Sequence, residues 1–102
     1  MTYRFEEENY QNTYVLEDFY HTHPFYEYNY VVVRLRDQDN RDNAFAFQVN
    51  FNKTFNPLPD HPRLTDVQAQ IAKGFAKDAP DELILLFKQR VVEAKAYGEK
   101  NP

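Results

Sequence analysis

The spacing of apolar side chains changes about halfway along the chain. In the first half, apolar and polar residues alternate, which is typical of strands with one buried face. In the second half, apolar residues recur every three or four positions, which is typical of amphipathic helices. We therefore predict an α+β domain, in which an antiparallel β-meander of three to four strands precedes two C-terminal helices packed on one face.

The clearest strand is AFAFQVNF, residues 44–51, in which aromatic or aliphatic side chains occupy every second position. Residues 26–36 are rich in β-branched and aromatic residues, and the polar segment 37–43 separates the two runs. A turn centred on Asn40 gives one wholly apolar face, whose opposing pairs are Leu35 with Phe45, Val33 with Phe47 and Val31 with Val49. A shift of one residue would destroy this face, so the pattern predicts the register as well as the hairpin.

The same register places aromatic and basic residues on the opposite face of the hairpin. Tyrosine and arginine are enriched at protein interfaces, and this face is open unless another element covers it. The residues that we expect to form a binding surface there are Tyr28, Tyr30, Arg34, Arg36 and Gln48. Aromatic rings on a sheet can also stack nucleic-acid bases, which leaves an accessory role with nucleic acid open.

An earlier hairpin and a loop complete the predicted layout. Residues 3–7 and 13–20 are predicted to pair, so that the sheet spans about residues 3–53. A cluster of three prolines excludes a helix or a central strand, and we predict a loop over residues 54–64. Together with the helices, these elements form a single domain over residues 1–102.

Two helices are predicted, over about residues 65–77 and 79–98. The sequence TDVQ places Thr65 at the N-cap and Gln68 at the third helical position, which is a capping box. Gly98 is expected to end the second helix. The predicted apolar stripes are Leu64, Val67, Ile71 and Phe75 on the first helix and Leu83, Phe87, Val91 and Ala94 on the second. Further apolar residues on the second helix indicate two-sided burial or a homodimer contact.

Composition narrows the class of protein. The 102 residues include no cysteine, which excludes disulfides and thiolate metal ligands and is compatible with a reducing compartment. The formal net charge is −4, and neither half of the chain carries the basic excess of a nucleic-acid-binding protein. No apolar run approaches the roughly 20 residues that cross a bilayer, and the N-terminus lacks a secretory signal pattern. We therefore expect a cytoplasmic protein without membrane contacts.

Two histidines, His21 and His23, lie one residue apart within an aromatic segment. In an extended segment their side chains point to the same side, about 6.6 Å apart along the strand. His61 is the third histidine of the chain and offers a third ligand. Three protein ligands with one open position are typical of catalytic zinc. Histidines are also common as ordinary polar residues in loops at strand ends. A small metal-dependent hydrolase is therefore the alternative rather than the main prediction.

The segment YHTHP, residues 20–24, resembles the HxHP core of the JAMM-type zinc peptidases, which include isopeptidases that remove ubiquitin. The resemblance implies zinc binding by His21 and His23. That family also carries a downstream serine and aspartate and a distant upstream glutamate. The chain contains no serine, and Glu17 is too close upstream to replace that glutamate. The match does not extend to these catalytic residues, and we interpret it as accidental.

Other catalytic constellations are missing from the sequence. The chain has neither cysteine nor serine as a nucleophile, and its two glycines do not form a phosphate-binding loop. Its acidic clusters lie in predicted turns or strand ends, where solvent opposes the raised pKa of a general acid. We therefore predict a non-enzymatic protein–protein interaction or regulatory module without a cofactor. Its partner is another protein or a second copy, and an accessory protein of a phage or plasmid is compatible with the same sequence.

Overall fold

Five antiparallel strands of the described chain form one sheet in sequence order, and two helices follow. The structure is a computed structural model that describes residues 2–7, 10–20 and 29–100. The strands are β1 (Thr2–Glu7), β2 (Tyr10–Phe19), β3 (Tyr30–Asp37), β4 (Ala44–Asn50) and β5 (Phe55–Asn56). The helices are α1 (Asp66–Lys77) and α2 (Asp81–Lys100). This order confirms the predicted α+β class, with five described strands in place of three to four.

The central hairpin has the predicted register. β3 and β4 pair without a bulge, and the opposing pairs include Leu35 with Phe45, Val33 with Phe47 and Val31 with Val49. All of these side chains are buried, whereas the side chains between them are exposed or half-buried. The alternation in the sequence is therefore the alternation between the two faces of the sheet.

The earlier hairpin is confirmed, with a longer second strand than predicted. β1 pairs with β2 in antiparallel fashion, and the pairing ends with Glu7 opposite Tyr10. β2 thus begins at Tyr10 rather than at residue 13. Residues 14–19 of β2 also pair with β3, so β2 connects the first hairpin to the central one.

The proline-rich segment contains a short strand that corrects the predicted loop over residues 54–64. β5 pairs with β4 at two positions, with Asn56 opposite Gln48 and Phe55 opposite Val49. Pro57 follows immediately, and the pairing with β4 ends at Asn56. Residues 57–64 form neither helix nor strand, as predicted.

Asp37, a buried carboxylate at the end of β3, organises the turn between β3 and β4. It accepts hydrogen bonds from Asn12 Nδ2 at 2.6 Å and Asn43 Nδ2 at 3.1 Å. It also accepts one from the backbone N–H of Asp39 at 2.8 Å. These donors, Asn12 foremost, stabilise the charged form and lower the pKa of Asp37.

α1 begins with the predicted capping box. Gln68 N–H donates to Thr65 Oγ1 at 3.1 Å, and Thr65 N–H donates to Gln68 Oε1 at 3.0 Å. The buried side chains of α1 are Ile71, Ala72, Phe75 and Ala76. Val67 belongs to the predicted stripe but is 47% exposed. At 100° per residue, Val67 lies roughly 110° from the centre of this buried face.

α2 begins at Asp81, directly after Pro80, and acidic residues occupy its first turn. It continues to Lys100, so the predicted end at Gly98 is wrong. Neither described glycine has a positive φ, and the left-handed cap expected at Gly98 does not form. The buried residues of α2 are Ile84, Phe87, Val91 and Gly98. Within the described part of the chain, neither helix combines the length and the apolarity needed to cross a membrane.

Phe47 lies at the centre of the core between the sheet and the helices. Its ring centroid is 5.9 Å from those of Phe45 and Phe75 and 6.3 Å from that of Phe55. Burial of one such side chain contributes about 1.5–3 kcal/mol. Phe75 of α1 and Phe87 of α2 belong to the same buried cluster, so both helices cover one face of the sheet.

Candidate functional site

The outer face of the sheet, which points away from the helices, carries the predicted binding residues that the structure describes. Tyr30, Arg34, Arg36 and Gln48 lie there, at alternate positions of β3 and β4. Tyr28 lies outside the described residues. The outer face of β2 to β4 includes Glu17, Phe19, Tyr30, Val32, Arg34, Arg36, Ala44, Ala46, Gln48 and Asn50.

Glu17 of β2 lies between the two arginines of the outer face. Arg36 Nε donates to Glu17 Oε1 at 3.1 Å, whereas Arg34 Nη1 lies 3.9 Å from Glu17 Oε2. Arg36 is therefore held by its neighbour, and Arg34, whose side chain is 44% exposed, is the more available of the two. Exposed ion pairs of this kind add little stability, so the main effect of Glu17 is to reduce the positive charge of the face.

A network of amide side chains fixes Gln48 at the other end of the outer face. Gln48 Nε2 donates to Asn50 Oδ1 at 2.8 Å. Asn50 Nδ2 in turn donates to Asn56 Oδ1 at 2.7 Å and to Thr54 Oγ1 at 3.0 Å. These bonds connect β4 to β5 and the turn before it. The amide group of Gln48 therefore has a structural role, whatever else it contacts.

Phe19 lies on the outer face but is not among the binding residues predicted from the sequence. It pairs with Val32 across β2 and β3 and is 48% exposed. Large exposed aromatic side chains with an arginine nearby are typical of interaction sites. The sequence indicates the position of Phe19 through the alternation within residues 13–20, which places Glu17 and Phe19 on one face of β2. The signal becomes interpretable only once the pairing of β2 with β3 is known.

A groove of about 570 Å³ lies beside β4, between the outer face and the loop that precedes α1. Val32 and Arg34 contribute from β3, Ala44 and Ala46 from β4, and residues 61–64 form the opposite wall. Among the described residues, no aspartate or glutamate lines it. The arginine side chains of Arg34 and Arg63 make the groove locally basic in a chain whose net charge is −4.

The described part of the predicted metal site does not form a ligand cluster. His61 lies on the exposed wall of the groove, and its backbone N–H donates to Leu58 O at 3.3 Å. No group of three or more histidines and carboxylates within residues 2–7, 10–20 and 29–100 could hold a metal ion. His21 and His23 lie outside these ranges, so zinc binding by them stays a prediction.

A second charged cluster lies between β2 and α2, next to the core. Tyr20 Oη donates to Asp18 Oδ2 at 2.6 Å, and Arg90 Nη1 donates to the same oxygen. Burial would raise the pKa of Asp18, but the hydrogen bonds from Tyr20 and Arg90 and the charge of Arg90 outweigh it and lower the pKa. A cavity of about 110 Å³ adjoins Asp18 and Arg90, and Leu16 and Phe87 complete its lining. The cluster is too small and too internally satisfied for a substrate site.

Neither geometry nor similarity assigns a reaction to the outer face. The perturbed carboxylates Asp18 and Asp37 lie on the opposite, helix-covered face, where each has hydrogen-bond donors that account for its lowered pKa. Comparison of the chain with protein-family models, curated proteins and solved structures found no match. The function must therefore be inferred from the chemistry of the molecule itself.

Proposed function

We propose that the chain is a non-enzymatic protein–protein interaction module that binds its partner through the outer face of the sheet. One observation carries the proposal: Phe19, 48% exposed, lies beside Val32 and Arg34 on a face that the helices do not cover. An aromatic ring, an aliphatic side chain and an available guanidinium form the kind of cluster that dominates binding energy at protein interfaces. Tyr30 extends this cluster along β3.

The charge distribution favours a protein partner over nucleic acid. Glu17 lies between Arg34 and Arg36 and weakens the positive potential that phosphates require. The absence of cysteine is compatible with a partner in the cytoplasm, where we place the protein. The acidic residues with lowered pKa values act within the fold, which does not favour a general acid or base on this face.

Self-association through α2 is a second candidate, supported by a separate observation. Leu85 and Val92 are seven residues apart, on one side of the helix, and are 56% and 66% exposed. Apolar side chains in this arrangement can pack against a second copy of the same helix. Leu85→Ser with Val92→Ser would then shift a dimer to a monomer, as measured by light scattering, without affecting a partner on the outer face.

Quantitative capture of partners with outer-face variants tests the main proposal. Phe19→Ala and Arg34→Ala remove exposed side chains, so both variants should remain folded, as judged by circular dichroism. Val67→Ala on α1 and Arg41→Ala are matched controls, because they remove an exposed apolar side chain and an exposed arginine elsewhere. Proteins captured by the unaltered chain should be depleted with both outer-face variants and retained with both controls. Equal capture by all four variants would refute binding through this face.

A further inference from the structure

β4 has an edge that is only half covered by described strands. On one side, all of β4 from Ala44 to Asn50 pairs with β3. On the other side, only Gln48 and Val49 pair with β5. β5 ends at Asn56, and residues 44–46 border the groove instead of another described strand.

The backbone hydrogen-bonding groups of this open edge can be identified from the pairing of β4. Asn50 N–H donates towards β5, to Thr54 O at 2.8 Å, whereas Phe51 N–H donates towards β3, to Asn29 O at 2.9 Å. Successive residues thus point alternately, and no bulge interrupts β4. Ala44 and Ala46 therefore direct their N–H and C=O groups into the groove.

The side chains of the open edge do not protect it from another strand. Edge strands of natural proteins commonly carry charges, prolines or bulges that prevent pairing. Residues 44–47 have the sequence Ala-Phe-Ala-Phe, with no charge and no proline. The alanine side chains on the outer face are small, which leaves room for a neighbouring strand.

The charges around the edge select the chemistry of the strand. Ala46 lies opposite Arg34 on β3, so a partner residue opposite Ala46 would lie about 10 Å from Arg34 Cα, at twice the strand spacing. An arginine side chain can reach a carboxylate at that position. Arg63 lines the groove from the other wall and forms no ion pair with any described residue.

We infer that the partner inserts an extended acidic segment into this groove as an added β-strand beside residues 44–47. An aspartate or glutamate opposite Ala46 contacts Arg34 and Arg63, and its two flanking residues are apolar because they face Leu64 and the helix side of the sheet. The inference rests on the proposed function and specifies its partner. A second copy is disfavoured as the occupant, because it would bring the same arginines together across the edge.

Ala46→Pro provides the sharpest test, because it removes an N–H that points into the groove and leaves the hydrogen bonds to β3 intact. Ala46→Val is the matched control, since it keeps the N–H. The probe is a set of peptides selected from a random linear library displayed on phage against the unaltered chain. We expect these peptides to carry an acidic residue between apolar ones, and to bind Ala46→Pro at least about tenfold more weakly than Ala46→Val.

Two further measurements do not depend on Ala46→Pro remaining folded. Two sets of peptides are compared, in which the backbone nitrogens of either the odd or the even residues are methylated; these sets are the two phases. Only the phase that blocks the N–H groups pointing to β4 should lose affinity for the unaltered chain. Arg63→Glu should weaken binding of the acidic peptides about tenfold, whereas Arg41→Glu, in the turn between β3 and β4, should not.

The outcomes separate strand addition from the broader proposal. Selected peptides that lose affinity with Phe19→Ala but tolerate Ala46→Pro and methylation in both phases would overturn strand addition and leave the outer face as the interface. Peptides insensitive to every one of these changes, or failure to enrich any peptide, would overturn the inference. A dimer that is abolished by Ala46→Pro in native mass spectrometry would show that a second copy occupies the edge, which also overturns it.

Discussion

Arg90 in α2 donates a hydrogen bond to Asp18 in β2, although the two residues are 72 positions apart in the chain. The side chain of Asp18 is only 18% exposed, and Tyr20 donates to the same carboxylate oxygen. The contact joins the last helix to the second strand beside the core. The hydrogen bond between Arg90 and Asp18 is therefore one of the contacts that hold α2 against the sheet.

Arg90→Leu should lower the free energy of unfolding by about 1–2 kcal/mol at neutral pH, because Asp18 keeps its charge and loses one donor. Since the folded pKa of Asp18 is lowered, its stabilising effect is present above the unfolded value of about 3.9 and is lost as pH falls through the folded value. The difference between the variant and the unaltered chain should thus shrink on acidification. Urea denaturation across the acidic range measures it, and a constant difference would contradict the assignment. Arg41→Leu serves as the control for loss of an exposed arginine.

Tyr20 should remain protonated at pH values where exposed tyrosines ionise, at about pH 10. Burial raises its pKa, and donation to Asp18 raises it further. Because the folded pKa is raised, the stabilising effect of Tyr20 is complete below its unfolded pKa and is lost as pH rises towards the folded value. Ultraviolet titration should show a late step that is smaller in Tyr20→Phe. Tyr3 contributes to the same late step, because burial and then the charge of Asp78 raise its pKa. An unchanged late step in Tyr20→Phe would show that Tyr20 ionises with the exposed tyrosines.

Asp37→Asn should destabilise the fold by about 1–3 kcal/mol, although the substitution changes little in shape. Asn12 and Asn43 both donate to Oδ2 of Asp37, and the backbone N–H of Asp39 donates to Oδ1, so an amide nitrogen in place of either oxygen leaves at least one donor without its acceptor. The lowered pKa of Asp37 means that this loss is expressed above the unfolded pKa and disappears as pH falls through the folded value. Thermal unfolding at neutral pH measures the effect. Asp39→Asn in the same turn should cost much less, because Asp39 is exposed.

Gly74→Ala should stabilise the protein by about 0.5–1 kcal/mol. Gly74 lies inside α1, where alanine has the higher helix propensity. A methyl group there would lie 3.7 Å from Tyr3 Oη and 4.0 Å from Phe5 Cε2, which are ordinary contact distances. Chemical denaturation would reveal the gain as a higher midpoint. A lower midpoint would mean that β1 packs against α1 too tightly to accept the methyl group.

The parts of the fold that could be predicted are those in which a local pattern determines the answer. Alternation fixed the register of β3 and β4, because one shift would bury polar residues beside Phe47. Thr65 and Gln68 marked the start of α1 through a capping box. β5 has only two residues and shows no periodicity, and Gly98 is buried inside α2, although glycine locally favours a helix end.

The candidate site was only partly predictable, for a related reason. Arg34 and Arg36 share a face through alternation within one strand, which sequence shows directly. Glu17 modifies their charge, and Phe19 joins them, only through the pairing of β2 with β3. The groove depends on residues 61–64 returning to β4, and such a tertiary contact leaves no periodic trace in the sequence.

The sequential order of the strands has a consequence during synthesis on the ribosome. Each strand pairs with the one made just before it, so the sheet can assemble up to Asn56 as the chain emerges. Its apolar face, centred on Val33 and Phe47, gains its cover only when the helices follow, and α2 ends at Lys100. A nascent chain paused before α1 would therefore expose the apolar face of a preformed sheet to chaperones and to neighbouring nascent chains.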